Sequence, residues 1–194
     1  HALLDQHVGQ SEQVALLGGP GVRQLLLQYG HPFALRLDAG LDTGDLLLQE
    51  EIPIGPEDTA ETLAPRLAAI GAELMVRTLH GLQAGAIQPR HQDNSLATLA
   101  PILTKEDGQV DFSRSAAEIC NRVRGFQPWP GAHTKFRGKN LQILKAQPVS
   151  DAFPPATLHV QAGRLLVGCG HNTSLELLEL QMEGKKRTAA RDFL

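Results

Sequence analysis

Apolar and polar positions along this chain follow two rhythms, helical through its middle and strand-like toward its end. The apolar run from Phe33 to Leu37 predicts a strand that feeds a turn rich in acids and glycine, and Leu46 to Ile52 predicts another strand. After Pro53 and Pro56, the residues Leu63, Leu67, Ile70, Leu74 and Leu82 recur at helical spacing, with Asp58 and Glu61 spaced as a capping box. A start at Thr62 instead puts Pro65 in the first turn, where its missing N–H costs nothing, and Gly81 and Gly85 close the helix. A second helix is predicted from Ser115, spaced from Glu118 as another capping box, with Ile119, Val123 and Phe126 on one face and the prolines of Gln127 to Gly131 ending it. Beyond it, residues 134–137 and 141–144 flank Gly138-Lys139-Asn140 as a hairpin, and short runs at 158–161, 164–167 and 174–182 are spaced like strands of a small barrel. The first 36 residues, broken by Gly18-Gly19-Pro20-Gly21, carry no sustained period and predict no element.

Composition adds a compartment and a division. At 194 residues, 42% hydrophobic and 20% charged, the chain has material for one large or two small domains. Its apolar runs are too short to span a bilayer and its start resembles no secretory signal, so a soluble, cytoplasmic protein is expected. Cys120 and Cys169 lack paired spacing and read as reduced, buried thiols, and the eight histidines form no metal motif. The net charge of −3 hides a split: residues 1–104 carry 5 basic against 12 acidic side chains, and residues 105–194 carry 13 against 9. A basic half of this kind suits a polyanion.

Candidate chemistry concentrates in Asp38-Ala39-Gly40-Leu41-Asp42-Thr43-Gly44-Asp45, where three acids and two glycines share eight positions just after a predicted strand. Glycine permits the tight turn, and strand ends are where open α/β folds keep their ligand sites. A solvated acidic turn accounts for the same local pattern.

With that loop, Lys105-Glu106-Asp107-Gly108-Gln109-Val110-Asp111-Phe112, Pro128-Trp129-Pro130-Gly131-Ala132 and Gly184-Lys185-Lys186 in one order, residues 36–194 resemble the methionyl-tRNA formyltransferases. The resemblance implies an α/β plus β fold. Residues 1–86 would be the C-terminal part of a Rossmann-like formyltransferase domain, with 1–36 poorly matched, residues 87–104 a linker, and residues 105–194 a small OB-like β-barrel domain that binds tRNA. Relative to the family, the opening βαβ units and the residues after Leu194 are missing. The implied reaction transfers a formyl group from 10-formyltetrahydrofolate, a donor substrate, to the amino group of methionyl-initiator tRNA. It uses no metal, proceeds in a monomer, and is impaired in a chain lacking those units.

Such acyl transfer needs a base for the attacking amine, donors for the developing oxyanion and a proton for the leaving nitrogen. By resemblance, Asp42 is the carboxylate that orients a catalytic imidazole and favours its charged form, and His1 stands where that imidazole belongs. The family's catalytic Asn would precede His1. Asp38, Gly40, Leu41, Thr43 and Gly44 would line the folate pocket. Arg122, Arg124, Lys135, Arg137, Lys139, Lys145, Lys185, Lys186 and Arg187 would supply phosphate contacts to the tRNA, and Trp129 reads as a packing anchor at the domain junction. Two other readings fit the same residues: a sugar-nucleotide formyltransferase or formyltetrahydrofolate hydrolase relative, and a non-catalytic RNA-binding remnant.

Overall fold

The computed structural model describes residues 14–18, 29–30, 32–36, 43–96 and 101–193. They divide into two compact units, one holding residues 14–18, 32–36, 43–52 and 66–96, the other residues 53–65 and 101–193.

Five short strands come first: β1 (Val14–Gly18), β2 (Tyr29–Gly30), β3 (Pro32–Arg36), β4 (Leu46–Gln49) and β5 (Ile52–Pro53). The run predicted from Phe33 forms β3, and the run from Leu46 divides into β4 and β5. β3 is the middle strand of a sheet ordered β1-β3-β4, and its Ala34 and Leu35 are buried. Both of its pairings are antiparallel.

Helix α1 (Ala60–Gln83) begins one residue later than a cap at Asp58 would set it. Thr59 Oγ1 accepts the Thr62 N–H at 3.2 Å and Thr62 Oγ1 accepts the Thr59 N–H at 2.9 Å, so two threonines form the reciprocal cap. Asp58 turns outward from that role, its carboxylate accepting the Gly55 N–H at 2.7 Å. Pro65 therefore lies in the second turn, where it removes one helical hydrogen bond. At the other end Ala86 N–H reaches Gly81 O at 2.8 Å and Gly85 N–H reaches Leu82 O at 3.0 Å, with Gly85 at φ +66°, the geometry of a Schellman close.

The second unit contains α2 (Ala116–Gly125), strands β6 (Ala132–Phe136), β7 (Lys139–Val149), β8 (Leu158–Gln161), β9 (Arg164–Cys169), β10 (Thr173–Met182) and β11 (Thr188–Ala189), and the short helix α3 (Ala190–Phe193). The capping box of Ser115 and Glu118 forms as expected, and Ile119, Val123 and Phe126 are buried, the first two in a core shared with Leu141, Ile143, Leu175 and Leu180. The β6–β7 connection is the two residues Arg137 and Gly138, both at positive φ as a type I′ turn requires, so Lys139 and Asn140 belong to the strand.

The sheet runs β6-β7-β10-β9-β8, with β11 on β10, and every strand pair is antiparallel. No pairing joins β6 to β8 among the described residues, so the expected barrel is not closed here. The outer edge of β6 is already met by the segment after the Lys105-Glu106-Asp107-Gly108 turn, where Val110 N–H donates to His133 O at 2.8 Å.

Two sequence motifs meet at this edge. A Cβ on Gly108 would lie 2.2 Å from Gly131 O, so the Lys105–Phe112 segment and the Pro-Trp-Pro-Gly turn approach closely only because Gly108 has no side chain. Trp129, expected as a packing anchor, is 56% exposed. Phe126, three residues earlier and 1% exposed, fills the core position at the end of α2 instead.

The buried thiols of Cys120 and Cys169 are free. Burial pushes Cys120 up to about 12 and Cys169 up to about 11. Above pH ~9 an unfolded thiol loses its proton while these two keep theirs, so the unfolded state binds fewer protons and stability falls with rising pH. The expected slope is about 1.4 kcal/mol per pH unit for each thiol between pH ~9 and pH ~11. Urea melts across that window check it, and at neutral pH iodoacetamide should label neither thiol until the chain unfolds.

Candidate functional site

Of the residues expected at the catalytic loop, Thr43, Gly44 and Asp45 lie within the described structure; His1, Asp38, Gly40, Leu41 and Asp42 lie outside the described residues. The described end of the loop is held by a segment read from sequence as featureless linker. Gln92 Nε2 donates to Gly44 O at 2.7 Å, and Leu46 and Arg90 exchange backbone hydrogen bonds of 2.8 Å in both directions. His91 Nδ1 stands 3.2 Å from Asp45 Oδ1, and the Arg90 guanidinium reaches Gln49 Oε1 at 3.2 Å. An isolated bridge of this kind involves single residues and leaves no periodic trace in sequence. Pro89, which biases Gln88 toward extended backbone, is the one local signal that points to it.

The nine basic residues expected to face RNA separate into two groups. Arg122 donates to Asp107 O at 2.6 Å and lies 4.6 Å from the Phe126 ring centre. Arg124 donates to Gly55 O at 3.1 Å, Asp58 O at 2.8 Å and Asn121 Oδ1 at 2.8 Å, fastening the segment that precedes α1 to α2. Lys145 Nζ is 2.5 Å from Glu57 Oε2, a hydrogen-bonded pairing that raises the lysine and lowers the carboxyl, and Arg187 pairs with Glu179. Lys135, Arg137, Lys139, Lys185 and Lys186 are exposed.

Of these exposed cations, Lys135 lies on a polar face of the sheet, and Lys185 adjoins it through its carbonyl, which accepts from Gln181 Nε2 at 3.0 Å. On β7, Leu141 and Ile143 are buried in the core, while Asn140 and Gln142 point the other way. Gln142 lies opposite His133 on β6 and Gln181 on β10, and Asn140 lies opposite Lys135. Directly opposed residues share a face, so a row of amide, imidazole and ammonium groups crosses three strands. With Lys105 and Gln109 they line a groove of about 490 Å³. Among the described residues, no group of three or more His, Cys, Asp or Glu is arranged to hold a metal ion, and no helix is long and apolar enough to cross a membrane.

Two family descriptions match this chain: Formyl transferase over residues 28–79, and Formyl transferase, C-terminal domain, over residues 102–194. The chain belongs to the formyl transferase family. A protein named methionyl-tRNA formyltransferase from Koribacter versatilis is 61% identical over 82% of this chain and 51% of its own length, and one from Acidobacterium capsulatum is 57% identical over 82% and 52%. The chain thus spans about half the length of the curated relatives it matches. In fold it is similar to the crystal structure of an N-formyltransferase from Helicobacter canadensis in complex with folinic acid and dTDP-3-aminofucose. That likeness has a TM-score of 0.63 at 15% identity, over 83% of this chain and 59% of the other. The sequence match reaches back to residue 28, earlier than the Arg36 limit read from the motifs.

Proposed function

We propose that the chain takes part in transferring the formyl group of 10-formyltetrahydrofolate to the amino group of methionyl-initiator tRNA, as a cytoplasmic monomer. The observation that carries this reading is the 61% identity, over 82% of the chain, to a relative named for that acceptor, beside family matches that take in the acidic loop and the basic C-terminal unit. Folate as donor is supported by the folinic acid bound in the Helicobacter canadensis relative. In this reading Asp42 orients the catalytic imidazole, for which His1 stands, and Asp38, Gly40, Leu41, Thr43 and Gly44 contact the folate. Residues 87–104 link a donor-binding part to an oligonucleotide-binding part of OB-like character.

Lys135, Arg137, Lys139, Lys185 and Lys186 provide the phosphate contacts, whereas Arg122, Arg124, Lys145 and Arg187 brace the protein itself. The amide row beside them offers hydrogen bonds suited to ribose and base edges. The direct test is formyl transfer to methionyl-tRNA by this chain, with initiator tRNA and nucleotide sugars as competitors. Inhibition by the sugars alone, or no transfer, counts against the reading. Replacing Lys185 and Lys186 by Gln is expected to weaken tRNA binding and to reduce the slope of log affinity against log salt by about 2, because each phosphate contact releases about one counterion. Gln at Lys145 should leave the slope unchanged.

A further inference from the structure

We propose that Gln92, with Arg90 and His91 beside it, is a positioning residue: it sets the exit of the acidic loop in the geometry the formyl donor requires. The inference rests on the folate reading given above. Gly44 is buried, and without a Cβ its φ and ψ are less restricted than those of other residues, so a donor to its carbonyl helps to fix the local backbone. Gln92 Nε2 supplies that donor at 2.7 Å in a half-buried setting.

The neighbouring contacts remove the remaining freedom. The paired 2.8 Å hydrogen bonds between Leu46 and Arg90 fix the register of the two segments, and Arg90 ties the far end of β4 through Gln49. His91 engages Asp45, so the third acid of the cluster turns toward residues 90–92. Gly44, a donor-binding candidate within the described residues, is thereby held from one side by a single short stretch. Displacement of about 1 Å at a reacting centre costs roughly 100-fold, so control over this exit is control over donor placement.

Gln92→Glu tests the idea with little change of shape. It replaces the amide donor by an oxygen facing Gly44 O, and Gln92→Ala removes the contact outright. On the 194-residue chain, calorimetric titration with 5-formyltetrahydrofolate as a stable donor analogue would be read beside amide exchange at Gly44, Asp45 and Leu46 and beside the melting temperature. Both variants should raise the dissociation constant about tenfold, the effect of losing one hydrogen bond, and speed exchange at those amides, while the melting temperature falls by no more than a few degrees. Unchanged affinity overturns the positioning role, even if exchange quickens. Failure of the unsubstituted chain to bind the analogue would instead count against the folate reading, and against this proposal with it.

Discussion

Gly170→Ala should abolish the cooperative melt of the C-terminal unit at ordinary temperature. A Cβ at this position would lie 1.7 Å from Ser113 O and 2.5 Å from the carbonyl carbon of Ser113. No rotamer relieves this, since the obstacle is backbone. Gly170 N–H also donates to Phe112 O at 2.9 Å and Arg114 O at 2.8 Å, so the retreat that a methyl group demands breaks the joint between the β9–β10 turn and the start of α2. The expected loss exceeds about 4 kcal/mol, the range reached when buried backbone is forced apart. Gly138→Ala is the control. Gly138 has φ +78° and nothing within 4 Å of a built Cβ, so only left-handed strain is added, about 1 kcal/mol, and the melting temperature should drop by a few degrees. Differential scanning calorimetry of both variants decides the matter. A Gly170→Ala protein melting within a few degrees of the unsubstituted chain would show that the turn is free to move.

From the role proposed for Asp42 above, Asp42→Asn is expected to lower the turnover number of formyl transfer by about 10²- to 10⁴-fold while leaving the Michaelis constant for tRNA nearly unchanged. An attacking ammonium must be deprotonated, and the imidazole that takes its proton becomes cationic as the tetrahedral oxyanion forms. A carboxylate beside that imidazole stabilises the cation and keeps the ring nitrogens in the productive tautomer; an amide of the same shape does neither well. The tRNA is held elsewhere, by the exposed lysines proposed above, which is why its binding should survive. Equal turnover for the variant and the unsubstituted chain would remove Asp42 from the mechanism.

Much of the architecture is legible in the residues because it depends on near neighbours. The cap of α2 needs only Ser115 and Glu118, three positions apart, and it forms as read. The Arg137-Gly138 turn is likewise local, although its two-residue length was hidden because Lys139 and Asn140 look equally turn-like in sequence. At α1 the same local logic chose the wrong pair. Asp58 and Glu61 have the spacing, but the Thr59 and Thr62 hydroxyls cap each other's backbone while Asp58 is drawn to Gly55.

The basic residues show where that legibility ends. Arg124 and Lys135 are indistinguishable as charges, yet one spends its donors on Gly55, Asp58 and Asn121 and the other is exposed beside a polar groove. The order of four motifs carried the resemblance to the family, and local spacing was enough to indicate the helix faces, since these rest on short-range hydrogen bonding and burial periodicity. Only tertiary structure could bring Gly108 against Gly131, Gly170 against Ser113 and Gln92 onto Gly44. Those contacts join residues far apart along the chain, and their closeness is decided by how the strands pair and pack, which no window of neighbouring residues contains.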